Sequence, residues 1–259
     1  MNELIMSIIL AIVQGLTEWL PVSSSGHLVV AQEILNYHPG LYFDVALHFG
    51  TLMAVFVYFG KDIVDIIEAL LKGKWKSENG QLGLLIIVAT IPAGIIGYVF
   101  NKLFESAFTS LIVTAAGFAV TGMILLIASI EFRKNDKKQP SYWDSWMIGF
   151  AQVLAILPGV SRSGTTISAG LLRGLNEKSA LRFSFLMSIP IIFGAGILEI
   201  GNRTLPSDLI WATLIAFLVG LATIWFLFRI VSNSKKNFRW FAAYVFLLSL
   251  SVFIWIALR

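Results

Sequence analysis

Two short stretches carry most of the chemistry this chain can offer: QGLTEWLPVSSSGH at residues 14–27 and PGVSRSGTT at residues 158–166. In the second, Arg162 is a lone guanidinium in an apolar neighbourhood, where an isolated charge costs several kcal/mol. It therefore calls for an anionic partner, either a carboxylate, a ligand or both. Its planar fork of N–H donors suits phosphate. Ser161, Ser163, Thr165 and Thr166 supply hydroxyls around it, and Gly159 and Gly164 let backbone N–H groups approach a ligand. A helix beginning near Ser163 would aim its positive end at the same place. The plainer alternative is an Arg that pairs with Glu18 only to lock two parts of the chain together, which leaves the hydroxyl cluster without a use.

In the first stretch Glu18 follows Gln14 by one helical turn, so both face one side of a helix. Glu18 can act as general base, pair with Arg162, or help hold a divalent cation. The alternative is an acid that snorkels to the membrane surface. His27 can move protons near neutral pH, although a lone histidine is often structural. Ser23, Ser24 and Ser25 are good helix caps; equally, one of them can be a nucleophile activated by His27 or Glu18. The sequence leaves these roles open. His48 is read as a structural or interhelical hydrogen-bonding residue, and His38 falls in a loop.

Composition sets the medium in which these groups work. The 259 residues are 57% hydrophobic and 13% charged, with a mean hydropathy of +0.82. Soluble domains carry about a quarter charged residues, so the chain is expected to be a polytopic membrane protein contacting lipid over most of its surface. It has no cysteine, which excludes disulfides, thiolate metal sites and thiol nucleophiles. No Lys or Arg precedes the first apolar run, so the start lacks the basic end of a secretory signal and is expected to be retained. No nucleic-acid partner is expected.

Six apolar runs, at about 41–60, 82–100, 111–130, 183–201, 208–230 and 240–258, are long enough to cross a bilayer as helices. Residues 4–35 and 146–172 instead contain two short apolar runs separated by a Pro/Gly/Ser-rich break. Broken backbone at membrane depth survives only under protein or beside water, so each region is read as a re-entrant helical hairpin. With the first span starting outside, the inner loops at 61–81, 131–145, 173–182 and 231–239 hold fourteen Lys and Arg, against three on the other side. That split follows the positive-inside rule.

The two breaks also match each other. Leu20-Pro21 aligns with Leu157-Pro158, Ser23–Gly26 with Ser161–Gly164, and Gln14 with Gln152. Each is followed by three crossings. The fold class is therefore all-α: a single membrane domain, 1–259, of six transmembrane helices plus two re-entrant hairpins, arranged as inverted repeats of about 1–130 and 141–259. Such folds place their site near the midplane, where broken-helix ends meet. The small-residue sets GFAVTG (117–122) and GAG (194–196) suggest close helix packing, within the chain or between subunits.

QGLTEWLPVSSSGH resembles the Glu/Gln-x-x-x-Glu and Pro-x-Ser-Ser-x-Gly-His region of the undecaprenyl-diphosphatase family of the bacitracin-resistance type. PGVSRSGTT resembles that family's Pro-Gly-x-Ser-Arg-Ser-x-x-Thr signature. The resemblance implies hydrolysis of undecaprenyl diphosphate to undecaprenyl phosphate and inorganic phosphate, recycling the lipid carrier of cell-wall polymers and conferring bacitracin resistance. It assigns catalysis to Glu18, Ser24, His27 and Arg162, with Gln14, Ser23, Ser25, Ser161, Ser163, Gly164, Thr165 and Thr166 binding the polyprenyl diphosphate. It also implies a divalent cation, Mg²⁺ or Ca²⁺, with Glu18 as the protein group able to hold it, a homodimer, and a site opening toward the outer face. The family's first acidic position is Gln14 here. Glu18 must therefore carry the acid's role alone, and a cation held through diphosphate and water is favoured over one held by protein.

Two rival readings compete with this one. Inverted repeats with hairpins are also transporter architecture, and an Arg-bearing pocket suits an anionic lipid cargo. The other common lipid-phosphatase pattern, Ser-Gly-His followed by Ser-Arg-x5-His-x3-Asp, fails because the sixth residue after Arg162, where that pattern needs histidine, is Ser168, and no histidine lies beyond His48.

Overall fold

A computed structural model describes residues 2–130, 136–200, 207–231 and 234–259; the charges counted at Arg133, Lys134 and Arg203 lie outside them. Twelve α-helices account for the regular structure of the described residues, with one 3-10 turn at Lys235–Asn237. The six apolar runs appear as α3 (Leu41–Tyr58), α5 (Glu78–Val99), α7 (Leu111–Ser129), α10 (Glu177–Ile200), α11 (Ser207–Val231) and α12 (Phe238–Ala257). All six are long and apolar enough to cross a membrane, so the protein is a multi-pass membrane protein.

The two interrupted regions form helical pairs: α1 (Glu3–Thr17) with α2 (Ser24–Leu35), and α8 (Tyr142–Leu154) with α9 (Arg162–Leu172). The longest of the four, α1, has 15 residues and spans only about 22 Å at 1.5 Å per residue, short of the roughly 30 Å hydrocarbon layer. Hydrogen bonds across the open ends show that each pair doubles back. Ser7, early in α1, meets the Tyr37 hydroxyl just beyond α2 at 3.1 Å. Asp144, early in α8, accepts from Arg173 just beyond α9 at 2.6 Å. The tips, by contrast, touch one another: the Ser163 hydroxyl donates to the Leu20 carbonyl at 3.0 Å. The two hairpins therefore meet through their tips.

Several helix contacts recur in the two halves of the chain. The half-helix α1 lies along α11, as α8 lies along α5; α3 packs on α11 as α10 packs on α5; and α3 with α10, and α7 with α12, pair across the middle. Both half-helix contacts depend on a glycine. At Gly15 a Cβ would crowd Val219 and the Ala216 carbonyl, and at Gly149 it would collide with the Ala89 carbonyl. The correspondence is incomplete, since α1 also packs on α3 whereas α8 has no comparable contact with α10.

Two helices fall where the sequence reading placed loops. The short α6 (Asn101–Ala107) precedes α7, and α4 (Gly60–Leu71) occupies the first half of the basic loop at 61–81. Its apolar residues recur at helical spacing: Ile63, Ile66 and Ala69 are buried, while Val64, Ile67 and Leu71 are exposed. Its charges hid this pattern, and one of them, Asp62, is paired with Arg182 of α10 at 2.7 Å. The small-residue sets serve contacts within the chain, with Gly117 against Gly159, Gly122 against Phe246 and Gly196 against Phe49.

Candidate functional site

The site forms where the two hairpin tips meet. Glu18 follows the last turn of α1, its backbone N–H still bonded to the Gln14 carbonyl. Pro21 then precludes a helical continuation, because the residue before proline is pushed out of the α region. Ser23 caps α2, its hydroxyl accepting from the Gly26 N–H, with φ +69. A non-glycine residue in that region is costly and is characteristic of functional loops. The second tip turns at Gly159, whose φ of +85 suits glycine, and Ser161 caps α9 by accepting from the Gly164 N–H at 3.0 Å. Its own N–H donates to Thr121 of α7 at 2.9 Å, and Thr121 donates in turn to the Gly159 carbonyl at 2.8 Å.

Glu18 is the hub. Arg162 donates from Nη2 to Oε1 at 2.6 Å, Ser24 donates to Oε2 at 2.5 Å, and Gln14 donates its amide to Oε2 at 3.0 Å. The carboxylate is almost fully buried, so the unit is a desolvated ion pair with most of its lone pairs satisfied, the condition under which such a pair survives. The Arg162 guanidinium also lies over the Trp19 ring, 5.2 Å from its centroid. Its second nitrogen, Nη1, is buried and has no partner. A buried cationic donor of this kind is costly to leave unmade; it is the group through which the site can take an anion.

The other expected residues divide into two groups. Ser163 bridges the tips, and Ser161 caps α9 while meeting Ser163 at 3.3 Å. Ser25 meets Ser23 at 3.2 Å. Thr166 is directed toward α10, sharing a 2.6 Å hydrogen bond with Ser184 and bonding back to the Arg162 carbonyl, and the Thr165 hydroxyl is buried without a partner. His27 is not drawn into the Glu18–Arg162 cluster. Nδ1 faces the Ser23 carbonyl and Nε2 the Tyr244 hydroxyl of α12, both at 2.7 Å. A carbonyl only accepts, so Nδ1 carries the proton and Nε2 accepts from Tyr244. The ring is also stacked on Tyr244 and set edge-on to Phe118.

Two site neighbours were not anticipated. His48 of α3 places Nε2 3.4 Å from Glu18 Oε2, where the sequence reading gave it only a structural or interhelical hydrogen bond. A usable signal existed: Asp44, His48 and Thr51 fall on one face of an otherwise apolar span, and Thr51 also meets Gln14, at 3.5 Å. Trp19 is fully buried against Phe185 and supplies the aromatic face beneath Arg162.

The donor set does not suit a protein-held divalent cation. Among the described residues no group of three His, Cys, Asp or Glu side chains could hold a metal ion. Both Glu18 oxygens are occupied by hydrogen-bond donors, and a guanidinium 2.6 Å away would repel a second cation.

This architecture, an acid–guanidinium centre at the joined tips of two short hairpins among six spans, defines a polytopic helical membrane protein with a buried polar site. The chain belongs to the family described as bacitracin resistance protein BacA, whose model matches residues 7–251. It is similar to proteins named undecaprenyl-diphosphatase. That of Thermosipho melanesiensis is 42% identical over 96% of this chain and 98% of the relative. That of Rubrobacter xylanophilus is 46% identical over 78% of each chain, and that of Alkaliphilus metalliredigens is 44% identical over 88% of this chain and 90% of the relative.

Proposed function

We propose that this protein hydrolyses undecaprenyl diphosphate to undecaprenyl phosphate and inorganic phosphate, returning the lipid carrier to cell-wall synthesis and thereby conferring bacitracin resistance. One observation carries the reading at the level of chemistry: Arg162 holds Glu18 with one nitrogen and keeps the other buried and unpartnered, at a point where two helix N-termini converge. Oriented dipoles and a guanidinium in a water-poor site favour the charge that gathers on a transferring phosphoryl group.

In this reading Arg162 Nη1 and the starts of α2 and α9 grip the terminal phosphate, with Ser161, Ser163, Gly164, Ser23 and Ser25 shaping the cradle and Gln14 steadying Glu18. Ser24 is the attacking group, because its hydroxyl proton is already directed at Glu18. Its Oγ forms a bond to the terminal phosphorus as the bridging P–O bond breaks, its proton passes to Glu18 Oε2, and undecaprenyl phosphate departs. Water then cleaves the phosphoserine, and the proton returns to Ser24. His27, one helical turn from Ser24, exchanges Tyr244 for the entering headgroup and serves the leaving oxygen. Thr165 and Thr166 support the cradle from the second turn of α9.

The divalent cation, Mg²⁺ or Ca²⁺, is proposed to arrive on the diphosphate, held by phosphate oxygens and water, and to neutralise part of the substrate's charge. The protein is further proposed to work as a homodimer in the bacterial plasma membrane, with the site opening toward the outer face and the prenyl tail lying among the helices. Purified protein in detergent, given undecaprenyl diphosphate with and without a chelator, tests the function. Phosphate release is the expected result. A transporter of an anionic lipid would release none, because carriage requires two compartments.

A further inference from the structure

His48 has a specific relation to the acid at the centre of the site. Its Nδ1 lies 2.7 Å from the Asp44 backbone carbonyl, and a carbonyl only accepts, so the neutral ring carries its proton on Nδ1. That leaves Nε2 unprotonated and close to Glu18 Oε2. The 3.4 Å separation exceeds a normal N···O hydrogen bond, as expected of two acceptors with no proton between them. Oε2 is also the oxygen that receives the Ser24 hydroxyl, at 2.5 Å. Ser24 and His48 thus approach the same carboxylate oxygen, Ser24 as donor and His48 with an unprotonated nitrogen.

We propose that His48 is a proton-relay and positioning residue acting through Glu18. The inference rests on the phosphatase reading and extends it. As Ser24 Oγ bonds to phosphorus, its proton moves to Glu18 Oε2. The bare acceptor pair then becomes an O–H···N hydrogen bond, and the proton passes on to His48 Nε2, giving an imidazolium that hydrogen-bonds both the Asp44 carbonyl and Glu18. Glu18 is thereby restored as the carboxylate that Arg162 needs. When water cleaves the phosphoserine, the proton returns by the same path to Ser24 Oγ. No external acid or base is required, and no atom is left over.

The surroundings fit this role. Thr51, on the same face of α3, donates to the His48 carbonyl at 2.9 Å and meets Gln14 at 3.5 Å, so the histidine turn and the acid's helix are tied together. The charged or titratable groups near the ring are Glu18 from α1, Arg162 from α9, paired to Glu18, and Asp44 on its own helix, whose side chain accepts from Gln32 at 2.7 Å. From α10 and α11, which also pack on α3, no ion pair reaches His48 among the described residues.

The test compares wild type with His48→Gln, whose amide can still donate to the Asp44 carbonyl but cannot take up a proton. The expected outcome is a KM close to wild type and a kcat lower by about 10²-fold, with a pH–rate profile that differs in shape from that of wild type. Unchanged kcat and pH profile, or a loss confined to KM, overturns the relay. A second measurement needs no turnover. The chain has three histidines, so the His48 imidazole signal can be followed by NMR in wild type and in Glu18→Gln. At fixed pH its chemical shift is expected to move between the two while that of His38 stays fixed; an unmoved His48 signal contradicts the coupling. Wild-type protein that releases no phosphate would instead overturn the phosphatase reading itself.

Discussion

Glu18 and Arg162, separated by 144 positions in sequence, meet at 2.6 Å where the two hairpin tips join. Neither charge is stable alone at that depth, so their pairing both closes the site and fixes the register of one hairpin against the other. Removing one partner leaves a buried, uncompensated charge, which typically costs about 3–5 kcal/mol. Arg162→Ala and Glu18→Gln are therefore each expected to abolish phosphate release and to lower the melting temperature in detergent. Arg162→Lys should keep more of the stability than of the activity, because an ammonium restores the charge without the second forked donor. Melting curves run beside phosphate assays on the three variants would show this split; equal retention of both properties by Arg162→Lys would contradict it.

Ser24 is expected to carry phosphate transiently. Ser24→Ala should lose nearly all turnover while remaining folded, and acid-quenched wild-type enzyme should yield a Ser24 peptide bearing phosphate. Near-normal turnover by Ser24→Ala would mean that water attacks directly, with Glu18 as its base.

Tyr244 and His27 separate by role. Tyr244→Phe removes only the hydroxyl that holds the resting ring and should leave at least a substantial fraction of activity, whereas His27→Ala should lose most of it. Equal losses in steady-state assays would place Tyr244 within the working site.

Gln152 is fully enclosed on α8, and neither its amide oxygen nor its nitrogen has a partner. Leaving such a group unpaired costs about 1–3 kcal/mol. Gln152→Leu, apolar and similar in size, should therefore raise the melting temperature without changing phosphate release. A lower melting temperature would show that the amide is satisfied in the membrane-embedded protein.

Asp144 staples the open end of the second hairpin, accepting from Lys137 at 2.9 Å and from Arg173 at 2.6 Å while forming a capping box with Ser141. Burial pushes its carboxyl up, but Lys137, the Ser141 backbone and Arg173 together outweigh burial and hold it well below the usual carboxylate range. A depressed folded value means that the stabilisation is complete above the unfolded value of about 3.9 and is lost only as pH falls through the folded one. Asp144→Asn should thus lower the melting temperature equally at pH 6 and pH 8, in pH-resolved thermal melts. A deficit that changes between those two values would contradict the assignment.

Much of this was legible in the sequence, because the forces involved leave periodic or compositional traces. Six apolar runs gave six spans, and the paired Pro/Ser/Gly breaks gave two hairpins with Glu18 and Arg162 at their tips. What escaped notice was masked by its surroundings. The charges of α4 concealed its i, i+3 apolar spacing, and the apolar setting of His48 disguised a polar face that only the approach of α1 makes meaningful. The orientation of His27 toward Tyr244 depends on α12, more than two hundred residues away, and no local pattern encodes it. Motif spacing placed hydroxyls around Arg162, but which of them face the anion and which, like Thr166, pair with a neighbouring helix is decided by packing.

The most direct test of a single phosphate site shared by both hairpins is phosphate release from undecaprenyl diphosphate by purified wild-type and Arg162→Ala protein, with the variant shown to be folded. The account predicts turnover by the first and essentially none by the second. Comparable release by both would contradict it.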